Sequence, residues 1–244
     1  VYILLSMTKT VLITGGSRGI GYATAELFAE HGWNVALCSR DEKQAKAAAE
    51  TIQMQSPTAR VLGFKADVGN AQDVDTMFAA VKNQFGRLNA LVNNAGIIHA
   101  ASIFDLTDAQ FDEMIRINLT GLARCCRRAF EMMKDSGGSI VNISSLAGIQ
   151  GTEKFHGFWG YTASKFAVTG ISEGLAVEGK AYGIRVNCIA PGSTDTQMLQ
   201  QVAPGMKPST TPMDIAKIAY YLCDSEKSGV LSGTTIPVFH NDLK

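Results

Sequence analysis

Residues 10–28 read "TVLITGGSRGIGYATAELF". An apolar, β-rich run breaks on glycines, and the turn opens into a segment whose apolar residues recur every three or four places. Gly15, Gly19 and Gly21 sit at that strand-to-helix junction. Glycine there permits a tight turn, lets main-chain N–H groups approach a diphosphate, and lets the helix pack closely on the strand, while the helix dipole favours the anion. The spacing is GxxxGxG rather than GxGxxG, and glycines alone are weak evidence. Their place between a first strand and a first helix is what turns them into an expected diphosphate cradle.

Outward from this turn the same alternation continues. "NVALCS" (34–39), "RVLGFKA" (60–66), "LNALVN" (88–93), "SIVNIS" (139–144) and "IRVNCIA" (184–190) are near-continuous apolar strands. Between them lie segments of helical period, such as Val74, Met77, Phe78, Val81 and Phe85. Strands apolar on both faces and separated by helices imply an α/β, three-layer, doubly wound parallel sheet. A last strand, "TTIPVF" (234–239), contains Pro237, which cannot donate to a ladder and so belongs at a sheet edge or strand end. No linker or repeat divides the 244 residues, so one domain over 1–244 is expected.

The 22 basic and 22 acidic residues balance, with no run of like charge. Nothing would gather a nucleic acid or an anionic membrane, which leaves a small molecule as the expected partner. The five cysteines are odd in number and lack CxxC or His-spaced ligand patterns. They are expected to be reduced thiols of a cytoplasmic protein that binds no metal. The leading "VYILLSM" (1–7) has about five apolar residues, short of the roughly 7–15 of a signal-peptide core. Met7 is read as the natural start, or residues 1–7 as an N-terminal extension.

"TGGSRGIG" (14–21), "NNAG" (93–96), "YTASK" (161–165) and "NCIAPG" (187–192) follow one another in an order and spacing that resemble the short-chain dehydrogenase/reductase family over residues 8–239. The resemblance implies a Rossmann-type fold of about seven parallel strands binding a nicotinamide dinucleotide. It assigns the diphosphate to Gly15, Ser17, Arg18, Gly19, Ile20 and Gly21. Asp67 and Val68 would border the adenine, although Asp67 reads nearly as well as a turn residue. Asn93, Asn94, Ala95 and Gly96 would form the cofactor floor; Pro191, Gly192 and Thr194 follow the sixth strand, with Thr194 at the carboxamide. The ending "PVFHND" departs from the family's usual "VDGG"-like close.

NAD sites usually carry an acid at the end of the second strand to accept from the ribose 2′-OH. Ser39 holds that position here, followed by Arg40. With Arg18 folding back from the glycine loop, an Arg pair would grip a 2′-phosphate, so NADP(H) is expected over NAD(H). Asp41 is the competing ribose acceptor, though it reads better as a helix-start residue.

A helix expected over 107–133 carries an apolar stripe of Phe111, Met114, Ile115, Leu119, Leu122, Cys126, Ala129, Phe130 and Met133, and Asn118 falls on it. A buried amide must be well hydrogen-bonded, whether for packing or for chemistry. Ser144 and Ser145 close the fifth strand as ordinary turn residues would; the resemblance selects Ser145 as the site serine. Tyr161 four places before Lys165 is common by chance. The row Tyr161, Lys165, Val168, Ser172 and Leu175, however, runs into the apolar side of its helix, so the pair points inward. A lysine held there is expected to favour phenolate and draw the tyrosine pKa down from about 10.

The resemblance then implies carbonyl–alcohol interconversion by hydride transfer. Tyr161 would be the proton donor, Ser145 a partner of the same oxygen, Lys165 the holder of the ribose, and Asn118 the anchor of a water leading to solvent. Alternatives are a 3-oxoacyl-[acyl-carrier-protein] reductase, which would need a basic docking patch where Val177 stands, and a catalytically silent dinucleotide sensor. Residues 193–212 are expected to form the substrate cover. The aromatic segment "GTEKFHGFW" (151–159) lines a pocket, covers a subunit contact or forms an exposed loop. A homodimer or homotetramer is expected through helices 107–133 and 159–181.

Overall fold

The computed structural model describes residues 8–208 and 210–239. The expected N-terminal extension, one residue of the cover and the end of the "PVFHND" tail lie outside the described residues.

Seven strands form one parallel sheet in the order β3-β2-β1-β4-β5-β6-β7. They are β1 (Thr10–Thr14), β2 (Asn34–Ser39), β3 (Val61–Lys65), β4 (Ala90–Asn93), β5 (Gly138–Ile143), β6 (Ile184–Pro191) and β7 (Thr235–Val238). Around them run α1 (Gly19–Glu30), α2 (Glu42–Gln55), α3 (Ala71–Phe85), α4 (Asp108–Ile115), α5 (Leu122–Met133), α6 (Trp159–Gly179), α7 (Gln197–Val202), α8 (Pro212–Cys223) and α9 (Ser225–Ser228). β7 is an edge strand, with Pro237 opposite Ala190 of β6, where the missing N–H leaves no interior ladder broken.

Successive strand residues alternate between two cores, as a period of two requires. Val11, Ile13, Val35 and Leu37 pack with Phe28 of α1, Ile52 of α2 and Leu222 of α8. Leu12, Ala36, Leu91 and Ile140 face the other way, against Val81 of α3, Met133 of α5 and Val168 of α6. Both faces are covered, which is why the strands read as unbroken apolar runs.

Helix starts follow local capping chemistry. Asp41 accepts from the Gln44 N–H at 3.1 Å and starts α2, the competing role the sequence suggested for it. Thr107 and Gln110 close a capping box at α4, and Thr211 and Asp214 do so at α8, with Pro212 in the first turn.

The helix expected over 107–133 is interrupted. Arg116–Gly121 winds as a π turn between α4 and α5. Within this wider turn Ile117, Asn118 and Gly121 are buried. Gly121 closes that turn against the β3–α3 connection: a Cβ there would meet the Val68 carbonyl oxygen at 2.9 Å.

Gly21 is the tightest point of the opening motif. A Cβ on it would fall 2.3 Å from the Gly15 carbonyl oxygen and 2.5 Å from Asn94 Nδ2. Gly21→Ala is therefore expected to destabilise by roughly 1–3 kcal/mol through overpacking, at about 2–4 °C of Tm per kcal/mol for a chain of this size. Thermal denaturation checks this, and an unchanged Tm would show that the loop yields freely.

Candidate active site

β1 and β4 are neighbours, and the chain leaves them toward opposite edges of the sheet. Such a switch point opens a crevice at the carboxyl ends of the strands. A cavity of about 1090 Å³ lies there, at the upper end of the roughly 300–1,000 Å³ usual for ligand sites.

The glycine loop forms one end. Gly15 and Gly19 have φ of 65° and 56°, left-handed values that a side chain would strain. Arg18, the N-cap of α1, makes no side-chain cap bond, so no side chain claims the leading N–H groups. A Cβ-free cradle at an uncapped helix start fits a dinucleotide's diphosphate. Ser17, Arg18, Gly19 and Ile20 line the cavity, whereas Gly21 lies behind them as a packing residue.

At the adenine end, Ser39, Arg40, Asp67 and Val68 line the cavity. Asp67 acts as a turn residue while lining the cavity: Oδ1 accepts from the Gly69 N–H at 2.9 Å, and Oδ2 accepts from Arg116 at 3.0 Å. The two arginines do not converge. Arg18 donates to Gln197 Oε1 of α7 at 2.8 Å, and Arg40 lies 3.9 Å from Glu113, each guanidinium taking the acceptor within its reach.

The floor also differs in part from expectation. Asn93 is buried within β4 and donates to Asn142 Oδ1 at 2.9 Å, so it holds the sheet together rather than facing the cavity. Asn94 lines the cavity while its Nδ2 donates to the carbonyls of Thr14 (3.1 Å) and Gly15 (3.0 Å). Thr14 itself was not singled out by its sequence; its Oγ1 accepts from the N–H of Asn94 and of Ala95, each at 3.1 Å. A strand-ending threonine before the first glycine was the available signal. Pro191, Gly192 and Thr194 also line the cavity, and Thr194 is tied to Thr210 by a 3.1 Å hydroxyl contact.

Ser145, Tyr161 and Lys165 meet at the middle. Ser145 and Tyr161 stand together on the cavity wall, and Ser145 Oγ accepts from the Ala147 N–H at 3.1 Å, which fixes it at the start of the 3-10 turn Leu146–Gly148. Ser144 is buried and donates to the Lys165 carbonyl at 2.8 Å, clamping that turn to α6. Lys165 is buried, donates from Nζ to the Ile143 carbonyl at 2.9 Å, and lies 5.6 Å from the centre of the Tyr161 ring.

The protonation states run against the expected direction. Burial pushes the Tyr161 phenol up to about 12, with the Ser145 bond a smaller opposing effect. Burial also brings the Lys165 ammonium down to about 8. Removing water penalises the charged form of each group, which raises a phenol and lowers an ammonium.

Asn118 is buried beside this group and is fully hydrogen-bonded. Its Oδ1 accepts from the Ile97 N–H at 2.8 Å, and Nδ2 donates to the Ile97 carbonyl at 2.9 Å and to Ser164 Oγ at 3.0 Å. Asn118 does not line the cavity. Gly96 stands between: a Cβ there would be 3.3 Å from Asn118 Oδ1 and 3.5 Å from Lys165 Nζ. Ser164, three residues after Tyr161, passes the contact on by donating to the Tyr161 carbonyl at 2.7 Å. The sequence signal for it was its place on the inward face of α6.

The 151–159 segment divides. Phe155 and Phe158 line the cavity, Trp159 stacks on Phe111 with ring centres 5.4 Å apart, and His156 lies outside the lining. The cover contains α7 and approaches the glycine loop, where a Cβ on Gly19 would be 3.3 Å from Thr196.

A family model described as short chain dehydrogenase matches residues 9–207. The chain belongs to the short-chain dehydrogenase/reductase family, oxidoreductases that bind nicotinamide dinucleotides. It is 32% identical to a 3alpha-hydroxysteroid dehydrogenase of Mediterraneibacter gnavus, covering 96% of this chain and 97% of the relative. It is 33% identical to a 3-oxoacyl-[acyl-carrier-protein] reductase of Chlamydia trachomatis, again over 96% and 97%. A crystal structure of levodione reductase superposes with a TM-score of 0.87 at 32% identity, covering 94% of this chain and 95% of that one. Among the described residues no helix is long and apolar enough to cross a membrane.

Proposed function

We propose that the protein is an NADP(H)-dependent oxidoreductase that interconverts a carbonyl and a secondary alcohol on a small molecule, with Tyr161 as the acid/base. The observation that carries this reading is the meeting of Ser145, Tyr161 and Lys165 on one cavity wall, with Asn118 buried behind them.

The bound dinucleotide supplies or accepts the hydride. A phenol held protonated to about pH 12 is a proton donor at neutral pH, suited to a developing alkoxide. Ser145 donates to the same oxygen, and its own N–H contact from Ala147 keeps it aimed. Lys165 would hold the ribose hydroxyls of the bound cofactor, and Asn118 steadies the β4–α4 loop beside it. Ser17, Ile20, Asn94, Ala95, Gly96 and Thr194 would line the bound cofactor.

NADP(H) is favoured because Ser39 and Arg40 put no acid where a 2′-phosphate would sit, and Asp41 is engaged as the α2 cap. Ser39→Asp is expected to weaken NADPH binding roughly tenfold or more through like-charge repulsion, while NADH binding stays the same or improves. NADPH fluorescence titration reads this; tighter NADH than NADPH binding by the wild type would overturn the cofactor assignment.

The carrier-protein reductase reading has support in relatives such as the C. trachomatis enzyme. Against it stands Val177, 64% exposed on α6 where a docking cation would be needed. The silent-sensor reading sits poorly with the full set Asn118, Ser145, Tyr161 and Lys165. The same proposal takes residues 1–244 as one catalytic domain, cytoplasmic, assembled as a homodimer or homotetramer through the α4–α5 and α6 faces, where Val177 and Trp159 are exposed.

A further inference from the structure

We infer that the 151–158 segment selects a fused-ring, uncharged ketone or its alcohol, with Phe158 as the specificity-determining surface and Lys154 as the residue that positions it. This rests on the carbonyl–alcohol reading of the site.

Three rings form a file that ends at the acid. Phe155 and Phe158 meet edge-to-face at 5.8 Å, and Phe158 meets Tyr161 edge-to-face at 6.2 Å. Both phenylalanines line the cavity, so the substrate meets aromatic surface directly beside the proton donor.

The wall they make is fastened at both ends. Lys154 Nζ donates to the carbonyls of Ile149 (2.6 Å), Thr152 (3.0 Å) and Leu146 (3.4 Å), buckling the segment to the Ser145 turn. Its ammonium also lies 5.4 Å over the Phe166 ring of α6. On the far side the Gly157 carbonyl accepts from the Ala101 N–H at 3.0 Å, linking the segment to the loop after β4. A wall tied to two loops keeps its ring positions, and a rigid aromatic surface rewards a rigid apolar occupant.

The rest of this end agrees. Leu146, Ile149, Met198, Val202 and Met206 line it, the methionines giving an adaptable apolar surface. Arg18 and Arg40 lie at the adenine end and Lys165 is buried. Among the described lining residues Glu153 is then the exposed charge at the substrate end. A thioester on an anionic carrier would meet that carboxylate, while the neighbouring Lys154 ammonium is engaged with main-chain carbonyls.

The test uses trans-1-decalone and acetoacetyl-CoA with the full-length enzyme and NADPH. Decalone is expected to have the higher kcat/KM. Phe158→Ala should raise its KM roughly tenfold through lost ring burial, with kcat little changed and the KM of cyclopentanone and the Kd of NADPH unmoved. Lys154→Met should raise the decalone KM in the wild type but add nothing in the Phe158→Ala background, a coupling that general loosening would not give. Calorimetric titration of decalone separates the two readings. Ring binding that Phe158→Ala weakens about tenfold, without turnover, would sustain the selection and sink the carbonyl–alcohol reading of the site. Preference for acetoacetyl-CoA, or decalone KM and affinity unmoved by Phe158→Ala, would overturn the selection while leaving the oxidoreductase reading intact.

Discussion

Tyr161→Phe should reduce carbonyl turnover on the order of 10²–10⁴-fold, the range a positioned acid contributes, while NADPH affinity stays within about twofold. The change removes one oxygen from a ring that already packs edge-to-face on Phe158, so the wall keeps its shape. What disappears is the proton held to about pH 12 beside Ser145. Ser145 alone would still polarise the carbonyl, which leaves a residual rate. The pH dependence has a definite sign. Reduction needs the protonated phenol and stays level through neutral pH, whereas alcohol oxidation needs the phenolate and climbs with pH. Steady-state rates in both directions, with NADPH titration as control, check the set, and undiminished turnover in the variant would remove Tyr161 from the mechanism.

Lys165→Met should cost turnover on a similar scale and yet stabilise the fold at neutral pH. Burial brings the Lys165 pKa from 10.5 to about 8, so at pH 7 the native chain bears a desolvated ammonium that the unfolded chain does not. Relief of that penalty is worth up to about 3 kcal/mol, partly offset by the lost bond to the Ile143 carbonyl. The sign follows from proton counts. Between pH 8 and 10.5 the unfolded chain holds a proton that the native one lacks, so wild-type stability rises with pH and the advantage of Met shrinks. Tyr161 acts oppositely: from pH 10 toward 12 the unfolded phenol ionises first, and stability falls. Thermal melts of both proteins at pH 7 and pH 10 read the difference; equal melting points at pH 7 would show that the ammonium is not strained.

Most of the framework was legible because it rests on short-range rules. The strand runs, the glycine turn and the edge position of Pro237 each follow from periodicity or from one residue's missing atom. The inward row on α6 held as well, with Lys165, Val168 and Ser172 buried. What stayed hidden depends on partners distant in sequence. The two arginines were expected to converge, but Gln197 and Glu113 compete for them, and neither appears in a local pattern. Asn93 and Asn94 are adjacent in a motif, yet the pleat of β4 sends one into the sheet and leaves the other at the cavity. The tyrosine pKa was misjudged in direction because a Coulomb argument counts the neighbour and omits the water removed.

The π turn at Arg116–Gly121 leaves the long segment between β4 and β5 with two phases on one continuous backbone. Inward positions on its amino side and on its carboxyl side belong to different helical registers, offset by the residue that the wider turn takes up. The smallest edit that would bring them into register is a single deletion within those six residues, a stretch that holds Ile117 of the cavity wall, Asn118, and the Arg116 that pairs with Asp67. Such a deletion would change the phase of Asn118 relative to Ile97 and Ser164, its hydrogen-bond partners. A length change in a helix, silent in any comparison of residue types, is therefore enough to disturb the bonds by which Asn118 joins the β4–α4 loop to α6.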